Sequence, residues 1–321
     1  MNWVVSLSPR EYSTMRRDIP RGYVLLAVLA AMVLMVTVLA SLANLSLRRS
    51  LAAADAQVAL QQRIGTLSLE RTVFGRSMQV FDTIEKELPT GVPFPSVLRT
   101  AVTFGGVTYD VVLADEDAKM NLNAIYHAAG PARCQSALTQ MVGPSGTMAI
   151  RLLPAVRPSG FLVPAPADES EEETPAPTRL PAFRSWGEVF DLSRLTSNAG
   201  NDAVLPILTQ RLTCWGAEAV NIRRAADSVI ESAAGCVLSA AGAKRLVSRY
   251  RESPTMGLAL LIQREAKTDK ERQQLRTLVS ETSSHFSLWI DASAVGRRSH
   301  RIFSVWQTTE DGTTLNERFA Y

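Results

Sequence analysis

The sequence is poor in the residues that build metal and nucleophile sites. It has three cysteines and three histidines in 321 residues. The cysteines, Cys134, Cys214 and Cys236, form no Cys-x-x-Cys pair and so give no zinc-site spacing. In an oxidising compartment two of them could form a disulfide, and the sequence leaves every pairing open.

The histidines are isolated as well. His127, His285 and His300 belong to no His-Glu-x-x-His arrangement, so each is predicted to be a surface or strand residue rather than a metal ligand. The patterns Gly-x-Ser-x-Gly, Ser-x-x-Lys and the phosphate-binding P-loop are also missing. We therefore expect no enzymatic activity, no catalytic residue and no metal site.

An excess of charge of one sign is missing too. The 34 lysines and arginines face 31 aspartates and glutamates, for a formal net charge of +3 that is spread along the chain. Such a balance gives no reason to expect a nucleic-acid partner. Two helical stretches around Gly235 resemble a DNA-binding hairpin, but they lack an amide nest and a lysine cluster, so a packing role is favoured.

The sequence does contain one long uncharged run, from Gly22 to Leu47. As a helix with a rise of about 1.5 Å per residue, this run exceeds the ~30 Å hydrocarbon core of a bilayer. A secretory signal peptide is the rival interpretation, because the alanine-rich residues 51–56 imitate its cleavage site, but its apolar region has only ~7–15 residues. A cytoplasmic leader and a translocated C-terminal part are predicted by the basic residues before the run, Arg10, Arg16, Arg17 and Arg21.

A helical pattern continues beyond the uncharged run. Apolar residues recur there at spacings of three, four or seven, at Leu60, Ile64, Leu67, Phe74, Met78 and Phe81. The pattern predicts that the membrane helix extends without a break to near Leu88, before Pro89. We therefore expect one transmembrane and rod helix over residues 23–88.

The rest of the chain alternates between strand and helix patterns. Residues 89–128 hold β-branched and aromatic runs on both sides of Gly105-Gly106, which predict a hairpin. Residues 282–321 hold three more strand-like runs, with a turn at Asp311-Gly312. Residues 129–281 between them are mostly helical. The predicted fold class is α+β, with a long helix and an antiparallel sheet that is interrupted by a helical insertion.

Two acidic segments carry enough oxygen-bearing side chains to be considered as cation sites. The proline-rich residues 164–181 cannot form a core and are predicted to be a solvated linker. The string from Asp115 to Asn123 places several oxygens near each other, but it lacks the glycine and distal glutamate of an EF-hand. We favour a structural turn at this string.

Taken in order, these segments resemble the minor pseudopilin K family of type II secretion systems, also called general secretion pathway protein K. Residues 21–26, Arg-Gly-Tyr-Val-Leu-Leu, resemble the signal that prepilin peptidase reads. Residues 117–123, Asp-Ala-Lys-Met-Asn-Leu-Asn, are similar to a family string that has glycine where this chain has Ala118. Residues 183–190 and Val220-Asn221-Ile222 resemble two further family motifs, the second with Arg223 and Arg224 in place of Asn and Thr.

The resemblance implies a fold and an assembly role. The fold is the pseudopilin fold, a long N-terminal helix packed on an antiparallel sheet with a large inserted all-helical (SAM-like) domain. Residues 1–22 are then a leader that is cleaved after Gly22, and Tyr23 is N-methylated. Asp117, Asn121, Asn123 and Asn221 are implied to be structural motif residues. The implied partners are minor pseudopilins of the I and J types, the major pseudopilin and prepilin peptidase.

The implied location is the inner membrane, spanned once, with the N-terminus cytoplasmic and the C-terminal domain periplasmic until extraction into the filament. Most pilin-like subunits have a glutamate at the fifth position of the mature helix, where this chain has Ala27. An unpaired carboxylate in hydrocarbon is costly, so Ala27 suits a subunit with no neighbour above it, at the tip. The role implied is to initiate or cap the pseudopilus that exports proteins across the outer membrane. A minor pilin of a type IV pilus or DNA-uptake system is the alternative.

One departure from the family concerns calcium. Members of the family can bind calcium in the helical domain, but residues 132–162 lack the usual aspartate-rich run. The resemblance therefore allows calcium without naming a ligand, and no other cofactor is expected. The sequence does not identify the secreted substrate, and it leaves Met1 and Met15 as alternative starts.

Overall fold

The computed structural model describes residues 21–88, 94–147, 149–161, 179–197, 209–253, 256–294, 296, 299–309 and 312–320. Nearly all of the predicted leader and most of the acidic 164–181 segment lie outside these residues. The chain divides into two compact units, Met1–Val58 and Ala59–Tyr321. Helix α1, Arg21–Phe74, belongs to both units.

The described part of the first unit is helical throughout. Nearly every side chain there is exposed, from the apolar run through Arg48 and beyond. Two hydroxyl groups in the apolar run bond to the helix itself: Thr37 Oγ1 donates to Leu34 O at 2.8 Å, and Ser41 Oγ donates to Thr37 O at 2.8 Å. These two side chains are thereby satisfied without water, as an apolar surrounding requires.

The predicted unbroken helix to Leu88 is wrong in one respect. In the second unit α1 ends at Phe74, and α2, Ser77–Glu87, begins after a turn. Glycine is a poor helix former, so Gly75 weakens the helix at this point. Arg76 follows with a φ of −128°, outside the helical range, and its N–H bonds to Val73 O at 3.1 Å.

The main sheet has five antiparallel strands in the order β1-β2-β7-β8-β9. Gly105 and Gly106 connect the first two strands with φ of +62° and +76°, a turn that needs positive φ at both positions. This confirms the predicted hairpin, and the three C-terminal strands are confirmed as well. Asp311 lies outside the described residues. The strands are β1 Val97–Phe104, β2 Val107–Asp115, β7 His285–Ser293, β8 His300–Thr309 and β9 Gly312–Ala320.

Within the second unit, α1 and α2 cover one face of this sheet. The core between them is built from alternate residues of β2 and β7 and from the helices' aromatic side chains. Phe74 lies 4.5 Å from the ring of Trp306, and the hydroxyl of Tyr109 donates to Gln61 O at 3.0 Å. Gln62 Nε2 donates to Ala292 O at 3.1 Å, which ties the helix to the sheet.

The helical insertion lies between β2 and β7 and has a core of its own. It includes two short parallel strand pairs, β3 Met120–Asn121 with β4 Leu212–Thr213, and β5 Val220–Asn221 with β6 Val279–Ser280. Its helices are α3 Leu122–Thr147, α4 Trp186–Val189, α5 Leu192–Ser197, α6 Asp227–Ala234, α7 Ala240–Glu252, α8 Leu258–Glu265 and α9 Asp269–Leu278. With the long helix and the antiparallel sheet, this insertion confirms the predicted α+β fold class.

The insertion begins earlier than the predicted boundary at residue 129. Helix α3 starts at Leu122 because Asn121 caps it: the side-chain Oδ1 accepts from the N–H groups of Asn123 at 2.9 Å and Ala124 at 3.3 Å. The prediction for His127 is also wrong. This residue is a buried part of α3, and its Nε2 lies 3.0 Å from Leu180 O. His285 and His300 begin strands, as expected.

All three cysteines are free. Cys134 and Cys214 are buried, and burial raises the pKa of Cys134 to about 12 and that of Cys236 to about 11. The thiolate is the reactive form of cysteine. These thiols are therefore inert packing groups rather than nucleophiles.

A close approach at Gly65 leads to a testable prediction. A Cβ on Gly65 would lie 2.1 Å from the Tyr109 hydroxyl oxygen, and that ring is already stacked on Phe104 at 4.3 Å. We expect Gly65→Ala to destabilise the second unit by about 1–2 kcal/mol, since overpacking outweighs the gain in helix propensity. The measurement is urea unfolding of the full chain in detergent micelles.

Gly75→Ala is the matched control. Its Cβ would meet only Arg71 O, at an ordinary 3.5 Å. This substitution is expected to leave stability unchanged or to raise it by up to about 1 kcal/mol. Equal effects of the two substitutions would contradict the packing described for Gly65.

Candidate functional site

The predicted processing residues lie at the start of α1, in the first unit. A Cβ on Gly22 would meet no atom within 4 Å, and Tyr23 is 65% exposed. Ala27 is exposed as well. Within the described part of the chain, therefore, no other side chain packs on Gly22, and Tyr23 is largely uncovered.

The first part of the helix that carries these residues, residues 22–47, is uncharged on all sides. This helix is long and apolar enough to cross a membrane, and none of its most apolar window is buried. A helix that is hydrophobic all round needs either lipid or other apolar helices around it. This surface can therefore lie in a bilayer or pack on similar helices.

The other predicted residues lie in the second unit, where the chain leaves the sheet after β2 and returns to it at β7. These predicted residues are Asp117, Asn121, Asn123 and Asn221. Together with Asp115 and Arg224, which were not predicted as site residues, we call them the neck cluster. All six side chains are at least nine-tenths buried. Buried polar groups are costly unless they are hydrogen-bonded, so the partners of each group decide what the cluster does.

Asp117 joins the outgoing and returning chains. Its Oδ2 accepts from the N–H groups of Ser284 at 2.7 Å and His285 at 3.0 Å, at the start of β7. Its Oδ1 accepts from the N–H of Ala217 at 2.6 Å, inside the insertion. One carboxylate thus holds three segments together.

The two asparagines after Asp117 extend these connections. Asn121 Nδ2 donates to Gly216 O at 2.5 Å and to Ala217 O at 2.9 Å. Asn123 bonds to Phe183 twice, accepting from its N–H at 2.7 Å and donating to its carbonyl at 3.0 Å, and it also donates to Cys214 O at 2.8 Å. An amide is needed at both positions because each side chain both donates and accepts.

Asn221 and Asp115 share a serine. Asn221 Nδ2 donates to Ser283 Oγ at 2.6 Å, and that hydroxyl donates to Asp115 Oδ2 at 2.6 Å. Asp115 Oδ1 caps the short 3₁₀ turn Glu116–Ala118 by accepting from two N–H groups. Asn221 Oδ1 accepts from the N–H of Arg223 at 3.0 Å.

Arg224 is the member of the cluster that sequence reasoning missed. Its guanidinium donates to Asp115 Oδ2 at 3.1 Å, to Asp82 Oδ1 at 3.2 Å and to Glu85 Oε1. It also lies 4.8 Å from the ring centroid of Phe81. Asp82, Glu85 and Phe81 belong to α2, so Arg224 ties the insertion to that helix. In the sequence, Arg224 stood out only because it replaces a threonine of the family motif that follows Val220-Asn221-Ile222.

The neck cluster does not fit a cation. The carboxylate oxygens of Asp115 and Asp117 are already occupied by N–H and O–H donors. In the part of the chain that the structure describes, no group of three His, Cys, Asp or Glu side chains could hold a metal. A calcium ion bound by residues 115–123 would have to displace the hydrogen bonds with which Asp117 joins the insertion to β7.

The cluster also lacks the geometry of a catalytic triad. Ser284 Oγ lies 2.9 Å from His285 Nδ1, and Asp117 Oδ1 lies 3.3 Å from the same nitrogen. In a triad the serine and the aspartate contact opposite nitrogens of the imidazole, so that a proton can move from one side while the other is held. Here both contact one nitrogen, and His285 cannot relay a proton between them.

Comparison with known proteins gives similarity at the level of structure. The sequence matches no family model and no curated protein. Among solved structures, the chain is similar to one chain of the crystal structure of the GspK-GspI-GspJ complex from the enterotoxigenic Escherichia coli type 2 secretion system. The identity is 14%, the TM-score is 0.44, and the match covers 84% of this chain and 99% of that chain. At these values the similarity carries no argument about function.

The protonation of Asp115 makes the neck cluster sensitive to pH. Burial and the nearby charge of Asp117 raise the pKa of Asp115 from 3.8 to about 6, against the hydrogen bond from Ser283 and the charge of Arg224. At a pH between these two pKa values, Asp115 is more protonated in the folded chain than in the unfolded chain. Linkage then requires the stability that this group contributes to fall as the pH rises through that window.

We therefore expect wild type to gain stability relative to Asp115→Asn when the pH is lowered from 7 to 5, by on the order of 1 kcal/mol. The measurement is urea unfolding of both proteins at both pH values. The variant serves as the reference because it cannot titrate at this position. Identical pH dependence of the two proteins would contradict the assignment.

Proposed function

We propose that the chain is a minor pseudopilin of a type II secretion system, of the K family, and that it initiates or caps the pseudopilus at its tip. The observation that carries the proposal is helix α1. Its first part is apolar on every side, and its last turns pack on an antiparallel sheet through Gln62, Gly65 and Phe74. A subunit of a helical filament needs both features in one helix.

Processing at the N-terminus follows from the same helix. The signal-like residues 21–26 open α1, and Gly22 has open space where a side chain would be. Prepilin peptidase would cleave after Gly22, and Tyr23 would become the methylated N-terminus. Before extraction the apolar helix would span the inner membrane once, with the second unit in the periplasm.

The position at the tip is supported by Ala27 and by the insertion. A glutamate at this position would need a neighbour's N-terminal amine to compensate its charge in an apolar surrounding. Ala27 carries no such requirement. The insertion adds seven described helices to the sheet, between β2 and β7, and a subunit of this bulk is more easily placed at the end of a filament than within it. The partners would be minor pseudopilins of the I and J types and the major pseudopilin.

The first test concerns processing. We expect the full chain, co-expressed with a prepilin peptidase, to yield a mature protein that begins at N-methylated Tyr23, as measured by intact mass and N-terminal sequencing. Gly22→Ile should remain uncleaved because the residue before the cleaved bond gains a branched side chain. Gly75→Ala, which changes a glycine elsewhere in the chain, should be processed normally.

A mature chain that starts elsewhere would contradict the proposal. A start within or after residues 51–56 would instead support a secretory signal peptide. Persistence of the full-length chain with an active peptidase would support a plain membrane anchor.

The second test concerns the tip. In a secretion-competent strain whose own subunit is deleted, we expect Ala27→Glu to leave secretion of a reporter enzyme unchanged or to lower it, because the carboxylate gains no partner. Ala31→Glu, one helical turn further on, controls for the cost of a charge in the membrane, about 2.5–3.5 kcal/mol at a helix centre. Secretion by Ala27→Glu above the wild-type level would contradict a tip position. Restored piliation instead of secretion would favour the type IV pilus alternative.

A further inference from the structure

The main sheet of the second unit ends in strand β1 on one side and in strand β9 on the other. The β9 edge has features that hinder further pairing: its register against β8 shifts between Val305 and Trp306, and it carries the charged residues Glu317 and Arg318. Strand β1 has a regular register over its whole length, no proline and a single charge, Arg99. The β1 edge is therefore open to a further strand.

The register also shows which backbone groups of β1 face away from the sheet. Asp115 N–H donates to Ser96 O at 2.9 Å, so these opposite residues form a hydrogen-bonded pair. Such pairs recur at every second residue of an antiparallel ladder, so the even-numbered residues of β1 bond to β2. In the described part of the chain no strand lies beside the odd-numbered residues, whose N–H and C=O groups point to the open side. These residues are Val97, Arg99, Ala101 and Thr103.

The side chains of β1 define what a further strand should offer. Leu98, Val102 and Phe104 lie on the side of the sheet that α1 and α2 cover, and the last two are 38% and 42% exposed. Arg99 lies on the other side, is exposed, and has no hydrogen bond or ion pair with a described residue. A further strand would gain most from apolar side chains beside the first group and from a carboxylate opposite Arg99.

We propose that the β1 edge binds an extended segment of another protein, which adds a sixth strand antiparallel to β1. A peptide backbone presents N–H and C=O groups at the spacing of the edge, and strand addition is a recurring mode of peptide recognition. A second copy of β1 suits the edge less well, because β1 contains no acidic residue to pair with Arg99. This inference does not depend on the pseudopilin proposal, because it uses the second unit alone.

The test uses the full chain in lipid nanodiscs with ¹⁵N-labelled threonine, and the capped peptide acetyl-Thr-Val-Thr-Val-Glu-Val-Thr-amide. Paired antiparallel to residues 97–103, this peptide places its glutamate opposite Arg99 and its valines on the side of Leu98 and Val102. We expect saturable shifts and slowed hydrogen exchange at the Thr103 amide, which points to the open side. Thr100 is the internal control, because its amide already faces β2 and its exchange should stay unchanged.

Methylation of the peptide nitrogens separates strand pairing from simple adhesion of apolar side chains. N-methyl groups on the third and fifth peptide residues remove donors that face β1, so this peptide should not bind. The same groups on the second and fourth residues point away from β1, and this matched peptide should bind like the original.

A charge exchange tests the pairing of Arg99. Arg99→Glu should bind the original peptide about fivefold more weakly, because an opposite-charge pair becomes a like-charge pair. A peptide with lysine in place of glutamate should restore the binding. The proposal is overturned by the absence of a saturable Thr103 shift, by equal binding of the two methylated peptides, or by a Thr103 amide that is already protected in a dimer of the chain without peptide.

Discussion

The second unit depends on the buried hydrogen bonds of Asp117. The chain leaves the sheet after β2 and returns at β7, which is the neighbouring strand, so the whole insertion is attached through two adjacent crossings. Asp117 accepts from Ser284 and His285 on the returning chain and from Ala217 inside the insertion. Because the Asp117 carboxylate bonds to both connecting segments, the core of the sheet and the core of the insertion can unfold together as one unit.

Arg224 adds the third connection. Through Asp115, Asp82 and Glu85 it joins the β1–β2 hairpin, the insertion and α2. A buried ion network contributes little net stability, but removing one partner leaves an uncompensated buried charge, so arrangements that separate its members are disfavoured. For a subunit that would assemble through an apolar helix, a fixed insertion matters because partners must meet the same surface each time.

Local features of the fold were predictable from the sequence. The Gly105-Gly106 turn, the apolar run of α1 and the strand patterns each depend on a few neighbouring residues. The break after Phe74 coincides with a local feature, the poor helix former Gly75, which the apolar spacing across it masked. The burial of His127 and the pairing of Arg224 with α2 depend on contacts between distant parts of the chain. No periodicity encodes such contacts. The asparagines of the neck cluster stood out only as a motif, and their partners in the backbone of residues 183 and 214–217 required the structure.

The most direct test of this account is hydrogen exchange of the full chain, wild type and Asp117→Asn, along a urea series. In wild type, segments of β2 and β7 and segments of α6 and α7 should exchange through one common opening, because the neck couples them. In Asp117→Asn the insertion should open at a lower free energy than the sheet, while Asp110→Asn, at an exposed position of β2, should behave like wild type. Independent opening of the two parts in wild type, or common opening in Asp117→Asn, would contradict the central role given to the neck cluster.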